Sequence, residues 1–164
     1  MLKDYKIFGS QLGFKWIKGA GYGLRVTSLV GHLNSKMMTD NKKSKSYRDL
    51  EIYTISFKLA IEVHHMTLKL LKYEFYELGS QIRRSSKSIV SNIVEGYGRK
   101  RYHAELVRFL IFAHSSCDET ISHLKMVCKI HFQDELLTGL IQKYEQLSKM
   151  IFSFINYVEN NWKY

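Results

Sequence analysis

Not one proline occurs in 164 residues. Proline sets turns and stops helices, and a β-rich or loop-rich domain of this size normally uses several in its connections. A chain that manages without any is predicted to consist of long, uninterrupted helices. At this length it forms one domain with enough material for a sizeable core. Apolar residues make up 45% and charged residues 24%, the balance of an ordinary soluble globular protein.

The formal net charge is +10, which matters only if it gathers where a polyanionic partner can use it. Residues 1–36 carry a net +5, residues 37–46 a further +2, and the remaining 118 residues only +3. Six of the ten glycines also fall in the first 46 residues, where neither helical nor strand periodicity persists. GAGYGL at 19–24 lacks the Walker spacing and the strand–loop–helix setting of a phosphate loop, so no nucleotide site is assigned there. MMTDNKKSKS then closes the segment as a polar, lysine-rich linker. Residues 1–46 are therefore set apart as an atypical basic segment. Either translation starts at Met37 or Met38 and the upstream part is misassigned, which is the favoured reading, or the segment is a disordered basic arm. The folded unit is residues 47–164.

From Tyr47 the pattern becomes helical. Asp49 is expected to cap a first helix running to about Tyr73. A second is expected from about Glu74 to Glu95, stopped by Gly96 with Gly98 just beyond. A third spans about Tyr102 to Ile130, and a fourth starts near Gln133 or Asp134 and reaches about Glu159. Long helices with short connections predict an all-α, antiparallel up-and-down four-helix bundle. The third helix offers the core stripe Leu106, Phe109, Leu110, Ala113, Cys117, Ile121, Leu124 and Cys128. The fourth offers Leu136, Leu140, Tyr144, Leu147, Ile151, Phe154 and Val158. The first helix has two apolar stripes on nearly opposite sides. Leu50, Tyr53, Phe57, Ile61, His64, Leu68 and Leu71 are read as its core face. Ile52, Leu59, Val63, Met66 and Leu70 are read as an oligomer interface, because monomers rarely leave so large an apolar face in water. The alternative is that the N-terminal segment folds back over it.

The second helix places Leu78, Ile82, Ile89 and Ile93 toward the core. Along one flank Gln81, Ser85, Ser88, Asn92 and Glu95 recur as a structural polar seam, which must find partners wherever a neighbour covers it. Glu95 faces the negative end of the helix dipole, and Arg99 or Arg101 across the turn is its expected partner. Between 83 and 108 lie Arg83, Arg84, Lys87, Arg99, Lys100, Arg101 and Arg108 against Glu95 and Glu105, a net +5. These seven cations are the candidate nucleic-acid contacts, with Tyr97 and Tyr102 bracketing RKR as stacking platforms. No base-reading helix accompanies them, so such binding reads shape and charge.

Enzymatic and membrane functions have little support. His64 and His65 are adjacent and diverge, and His103, His114, His123 and His131 fall into no recognised metal spacing. Ser115, Ser116, Cys117 and Asp118 form no recognisable triad. No catalytic, metal or cofactor site is expected. Cys117 and Cys128 lie about three turns apart on one helix, too far to bridge, and read as small core residues of a reducing compartment. No apolar run approaches the roughly 18 residues of a membrane span, and Lys15 and Lys18 break any signal peptide. A cytoplasmic location follows as the expectation.

The stretch LGSQIRRSSKSIVSNIVEGYGR, followed by ELVRFLIFAHSSCDETISHL, resembles the family of four-helix-bundle proteins named for the 23S ribosomal RNA intervening sequence. Gln81, Arg84, Ser88, Ile89, Asn92, Ile93, Glu95, Gly96, Gly98 and Arg99 match its pattern, and Phe109, Leu110, Ala113, Ser116 and Glu119 continue the match. Val94 and Ser85 stand where alanine is frequent. The resemblance covers about Tyr47 to Tyr157. It implies a bundle that assembles into a homopentameric ring. A similar protein is the accessory variability determinant of diversity-generating retroelements, a basic pentamer that engages nucleic acid and a reverse transcriptase. The resemblance thus implies a homo-oligomer as partner to itself, with RNA or DNA as a further partner. A protein-interaction scaffold with an unnamed protein partner is the alternative.

Overall fold

The computed structural model describes residues 46–130 and 135–162, with no side-chain description at 135 and 136. The expectations for residues 1–45, for a start at Gln133 or Asp134 and for the Leu136 side chain lie outside the described residues. A single 3₁₀ turn, Tyr47–Asp49, leads in, and the remaining elements are α1 (Glu51–Thr67), the short α2 (Lys72–Tyr76), α3 (Leu78–Gly98), α4 (His103–Ile130) and α5 (Glu135–Asn161). There is no strand among the described residues. The expected Asp49 cap of α1 is not formed, and Leu50 stands at the N-cap of α1 with no side-chain bond. Asp49 instead closes a capping box on the 3₁₀ turn, whose cap is Ser46. Its backbone N–H donates to Asp49 Oδ2 at 2.9 Å while its hydroxyl accepts from Arg48 N at 3.3 Å.

The four long helices pack as a ring. α3 lies chiefly against α4, α4 against α5 and α1 against α3, with a thinner α1–α5 contact closing the circle. The direction of packing follows from cross-helix bonds. Ser88 meets Ser116 while the earlier Ser85 meets the later Thr120, so α3 and α4 are antiparallel. Asp118 meets Ser148 while His103 donates to the Val158 carbonyl at 2.8 Å, so α4 and α5 are antiparallel too. Val63, Ile82, Ile89, Ile93, Leu110, Cys117, Leu124, Tyr144, Leu147 and Ile151 fill the centre with no exposed surface. Each large aliphatic buried this way contributes roughly 1.5–3 kcal/mol.

On α1 the structure reverses the two predicted faces. Ile52, Leu59, Val63, Met66 and Leu70, expected at an oligomer interface, are buried in the bundle's own core. Phe57, Ile61, Leu68 and Leu71 point outward, His64 is exposed, and of that stripe only Leu50 is buried. The inner stripe also contains Ser56 and Thr67, both buried. Both hydroxyls bond back to their own helix, Ser56 to the Tyr53 carbonyl and Thr67 to the His64 carbonyl at 2.9 Å each. Satisfied in this way, they bury as small residues and let the neighbouring helices approach.

The first reversal of the chain is also sharper than expected. α1 stops at Thr67, six residues before Tyr73. Lys69 N–H then bonds to the Met66 carbonyl and Leu70 N–H to the Thr67 carbonyl, tightening the last turn into three-residue steps. The corner folds onto Gly79, which is buried. A Cβ there would lie 3.0 Å from the Glu74 carbonyl oxygen and 3.3 Å from Leu70 Cδ1. At its other end α3 does not stop at Gly96 but continues through it to Gly98. Gly96 is a packing glycine, because a Cβ there would meet Phe109 Cβ at 2.9 Å.

Candidate nucleic-acid interface

The polar seam is the connection between α3 and α4. Thr120, buried on α4, donates to Ser85 Oγ at 2.9 Å, and Ser85 in turn donates to the Ile82 carbonyl at 3.2 Å. Ser88 and Ser116 share a hydrogen bond of 3.0 Å. Asn92 Nδ2 donates to the Ser88 carbonyl at 2.9 Å and to its hydroxyl at 3.1 Å. Each buried hydroxyl thus has a partner, and the helices are held in register. Gln81 and Glu95 do not join. Gln81 makes no side-chain hydrogen bond among the described residues, and Glu95 lies a turn away, paired with Arg99 at 2.8 Å. Sequence reasoning missed the α4 half of the seam, although Ser116 and Thr120 lie one turn apart beside the Cys117 core position.

The seven candidate cations do not converge on one patch. Fifteen residues separate Arg84 from Arg99, about 22 Å along a helix. Several are also engaged internally. Arg108, Glu105, Arg99 and Glu95 form a chain of ion pairs at 3.4, 3.5 and 2.8 Å, in which the two cations meet two carboxylates. Arg99 lies over the Phe109 ring and Arg108 over the Phe112 ring. Lys100 donates to the Tyr97 hydroxyl at 2.8 Å and lies 4.0 Å from its ring centroid. Tyr97 itself is buried, so it is not the stacking platform expected, whereas Tyr102 is exposed. Arg83 lies over Phe75 at 4.2 Å and donates to the Phe75 carbonyl at 3.1 Å. Arg84, Lys87 and Arg101 remain exposed, with no ion pair among the described residues.

One further cluster was invisible in the sequence. Ser148 on α5 donates to Asp118 Oδ1 at 2.9 Å and lies 3.0 Å from His114 Nε2. The three residue types are those of a nucleophilic triad, but the serine hydroxyl is directed to the carboxylate and the His114 Nδ1–Asp118 Oδ2 separation of 3.6 Å is long for a hydrogen bond. Ser148 also sits mid-helix, where backbone N–H groups are consumed by the helix and no oxyanion donors are free. The cluster ties α4 to α5. The Cys117 thiol, which donates to the Tyr144 carbonyl at 3.5 Å, is pushed up to about 12 by burial and then by neighbouring Asp118, and so stays protonated. Burial raises the Tyr144 phenol as well. Among the described residues no three His, Cys, Asp or Glu side chains are placed to hold a metal ion, and no helix is long and apolar enough to cross a membrane.

A helical bundle with a hydrogen-bonded seam and a divided set of surface cations defines a class of small all-α proteins. Within that class, residues 48–153 match the family model described as 23S rRNA-intervening sequence protein, and the chain belongs to this family. A crystal structure of a protein with unknown function from the S23 ribosomal protein family of Bacteroides thetaiotaomicron VPI-5482 shares the fold. The two are 20% identical with a TM-score of 0.59, over 64% of this chain and 95% of the other. No curated protein matches the chain.

Proposed function

We propose that this protein is a non-enzymatic, self-associating four-helix bundle that acts in the cytoplasm as a nucleic-acid-binding accessory factor, with RNA as its first partner. The observation that carries the binding reading is that Arg84 and Lys87 on the outer side of α3 and Arg101 in the turn after it are exposed and outside any ion pair among the described residues. Lys100 adds a fourth charge next to exposed Tyr102. Cations spaced along a helix edge suit a phosphate backbone, and repetition around an oligomer multiplies weak contacts into useful affinity. The apolar outer faces of α1 (Phe57, Ile61) and α4 (Ile111, Phe112, Met126) support self-association, and the pentameric ring implied by the family resemblance is the proposed assembly.

The test is a titration of the full chain with a structured RNA at low and physiological salt, beside the Arg84→Glu/Lys87→Glu/Arg101→Glu variant. Both proteins carry the same basic N-terminal segment, so the difference reports on the bundle. Salt-sensitive binding should weaken at least tenfold in the variant, with an unchanged melting temperature. Equal binding by both overturns the assignment to these residues. If the parent shows no salt-sensitive binding, the second reading takes over, a protein-interaction scaffold, which the same exposed apolar faces favour.

A further inference from the structure

We infer that the corner between α1 and α3, residues 68–77, is a contact surface for the bases of single-stranded nucleic acid. This rests on the binding reading above and narrows it from nucleic acid in general to unpaired strands.

Four large side chains in nine residues are turned outward at this corner: Leu68 and Leu71 at 55% exposure, Tyr73 at 58% and Tyr76 at 65%. Lys69 and Lys72 are exposed among them. A short connection that merely reverses the chain has no need of this. Its inward residues, Leu70, Glu74 and buried Gly79, already make the turn.

The most exposed ring is also held in place. Tyr76 stands edge-on to Phe75, with centroids 5.1 Å apart and planes at 84°. Phe75 is covered by the Arg83 guanidinium at 4.2 Å, and Arg83 is anchored on the Phe75 carbonyl at 3.1 Å. Arg83, assigned above to phosphate contact, thus supports the aromatic platform instead. A ring backed on one edge by an anchored neighbour starts with part of its freedom already restricted, which lowers the ordering cost of stacking.

Charge selects the partner. Lys69 and Lys72 flank the tyrosines, and Arg84 and Lys87 continue about two to three turns up the outer side of α3, against exposed Glu77. Aromatic faces interleaved with cations fit a strand whose bases are splayed out and whose phosphates lie alongside. A duplex keeps its bases stacked inside and offers the tyrosines nothing to cover.

The experiment measures anisotropy of a labelled, unstructured oligouridine and of a blunt RNA duplex with the full chain, at low and physiological salt. Tyr73→Ala/Tyr76→Ala should weaken oligouridine binding roughly tenfold or more, while duplex binding and the melting temperature stay unchanged. Tyr73→Phe/Tyr76→Phe, which keeps the rings, should retain most of the affinity. Lys69→Gln/Lys72→Gln should lower the slope of log K against log salt by about 1.4. Unchanged oligouridine affinity in the alanine variant, an equal loss on duplex, or failure of phenylalanine to rescue overturns the proposal. So does oligouridine displaced by phosphatidylglycerol vesicles through the same tyrosines, which would make the corner a lipid-contacting surface. A parent chain that binds no RNA at low salt removes the functional reading and this one together. Binding that depends on the tyrosines but not on Arg84, Lys87 and Arg101 removes only the earlier assignment.

Discussion

Gly96 and Gly98 stand two residues apart at the end of α3, yet their surroundings are opposite. A methyl group at Gly96 meets Phe109 Cβ, an atom tied directly to the α4 backbone, so the crossing of the two helices must open to admit it. A methyl group at Gly98 has nothing within 4 Å. Gly96→Ala should therefore cost about 1–3 kcal/mol, the usual penalty of overpacking. Gly98→Ala should be neutral or stabilising by up to about 1 kcal/mol, since it narrows the unfolded ensemble at a helical position. Urea unfolding of the pair checks both, and equal effects would remove the close-approach account. Cys117 makes a second prediction at this scale. Its folded state holds the thiol proton up to about 12, against an ordinary 9.0. Between those values the folded chain binds more protons than the unfolded one, so stability is full below pH 9 and falls as pH rises through the window. Melting temperatures from pH 8 to 11 should show this decline, and Cys117→Ala should make it shallower. With a thiol reagent at neutral pH, half-buried Cys128 should react first and Cys117 only as the chain unfolds.

Between elements, the α3–α4 seam explains why two helices with serines at their contact still pack tightly. Ser85→Ala and Thr120→Val should each cost about 1 kcal/mol, because each removes the buried hydroxyl–hydroxyl bond between the two helices. The double variant removes both ends at once and should cost less than the sum, by about 0.5–1 kcal/mol in a double-mutant cycle. Strict additivity would mean the two hydroxyls do not interact. Asn92→Ala should cost about as much as one seam serine, since both its bonds return to Ser88 on the same helix. These elements were legible in the sequence to different degrees. The stripes of α4 and α5 could be read from their three- and four-residue steps, and Leu110, Cys117, Leu124, Tyr144 and Leu147 are buried as expected. The corner was not legible, because LKLLKYEFYEL carries the helical period across the break with neither glycine nor proline. Nor could the two faces of α1 be told apart, since both repeat at heptad spacing and only the return bonds of Ser56 and Thr67 let their side of the helix be the inner one. At the candidate site a count of charges found the cations. It could not see that Arg99 and Arg108 share their carboxylates in one chain, or that Arg83 belongs to Phe75.

At the scale of the whole molecule, the bundle has apolar outer faces on two helices that are not neighbours in the ring, α1 and α4. If self-association buries them, two geometries are open. Each face meets its own copy across a two-fold axis, or the α1 face of one protomer meets the α4 face of the next. The second arrangement is head-to-tail and closes only as a ring, or else runs on as a filament. The proposed pentamer requires it, and variants separate the two cases. Phe57→Glu/Ile61→Glu places charges on the α1 face, and Ile111→Glu/Met126→Glu does so on α4. All four positions are exposed in the protomer, so the bundle itself should stay folded. In a head-to-tail ring every contact uses both faces, and either variant alone should run as a monomer by light scattering. Mixed together, the α1 variant still offers a sound α4 face and the α4 variant a sound α1 face, and the two should pair once and stop as a dimer. With two-fold contacts, each variant alone would keep the dimer formed by its untouched face, and mixing would produce nothing larger. Monomers that form dimers only on mixing therefore support a ring, whereas dimers before mixing would remove it.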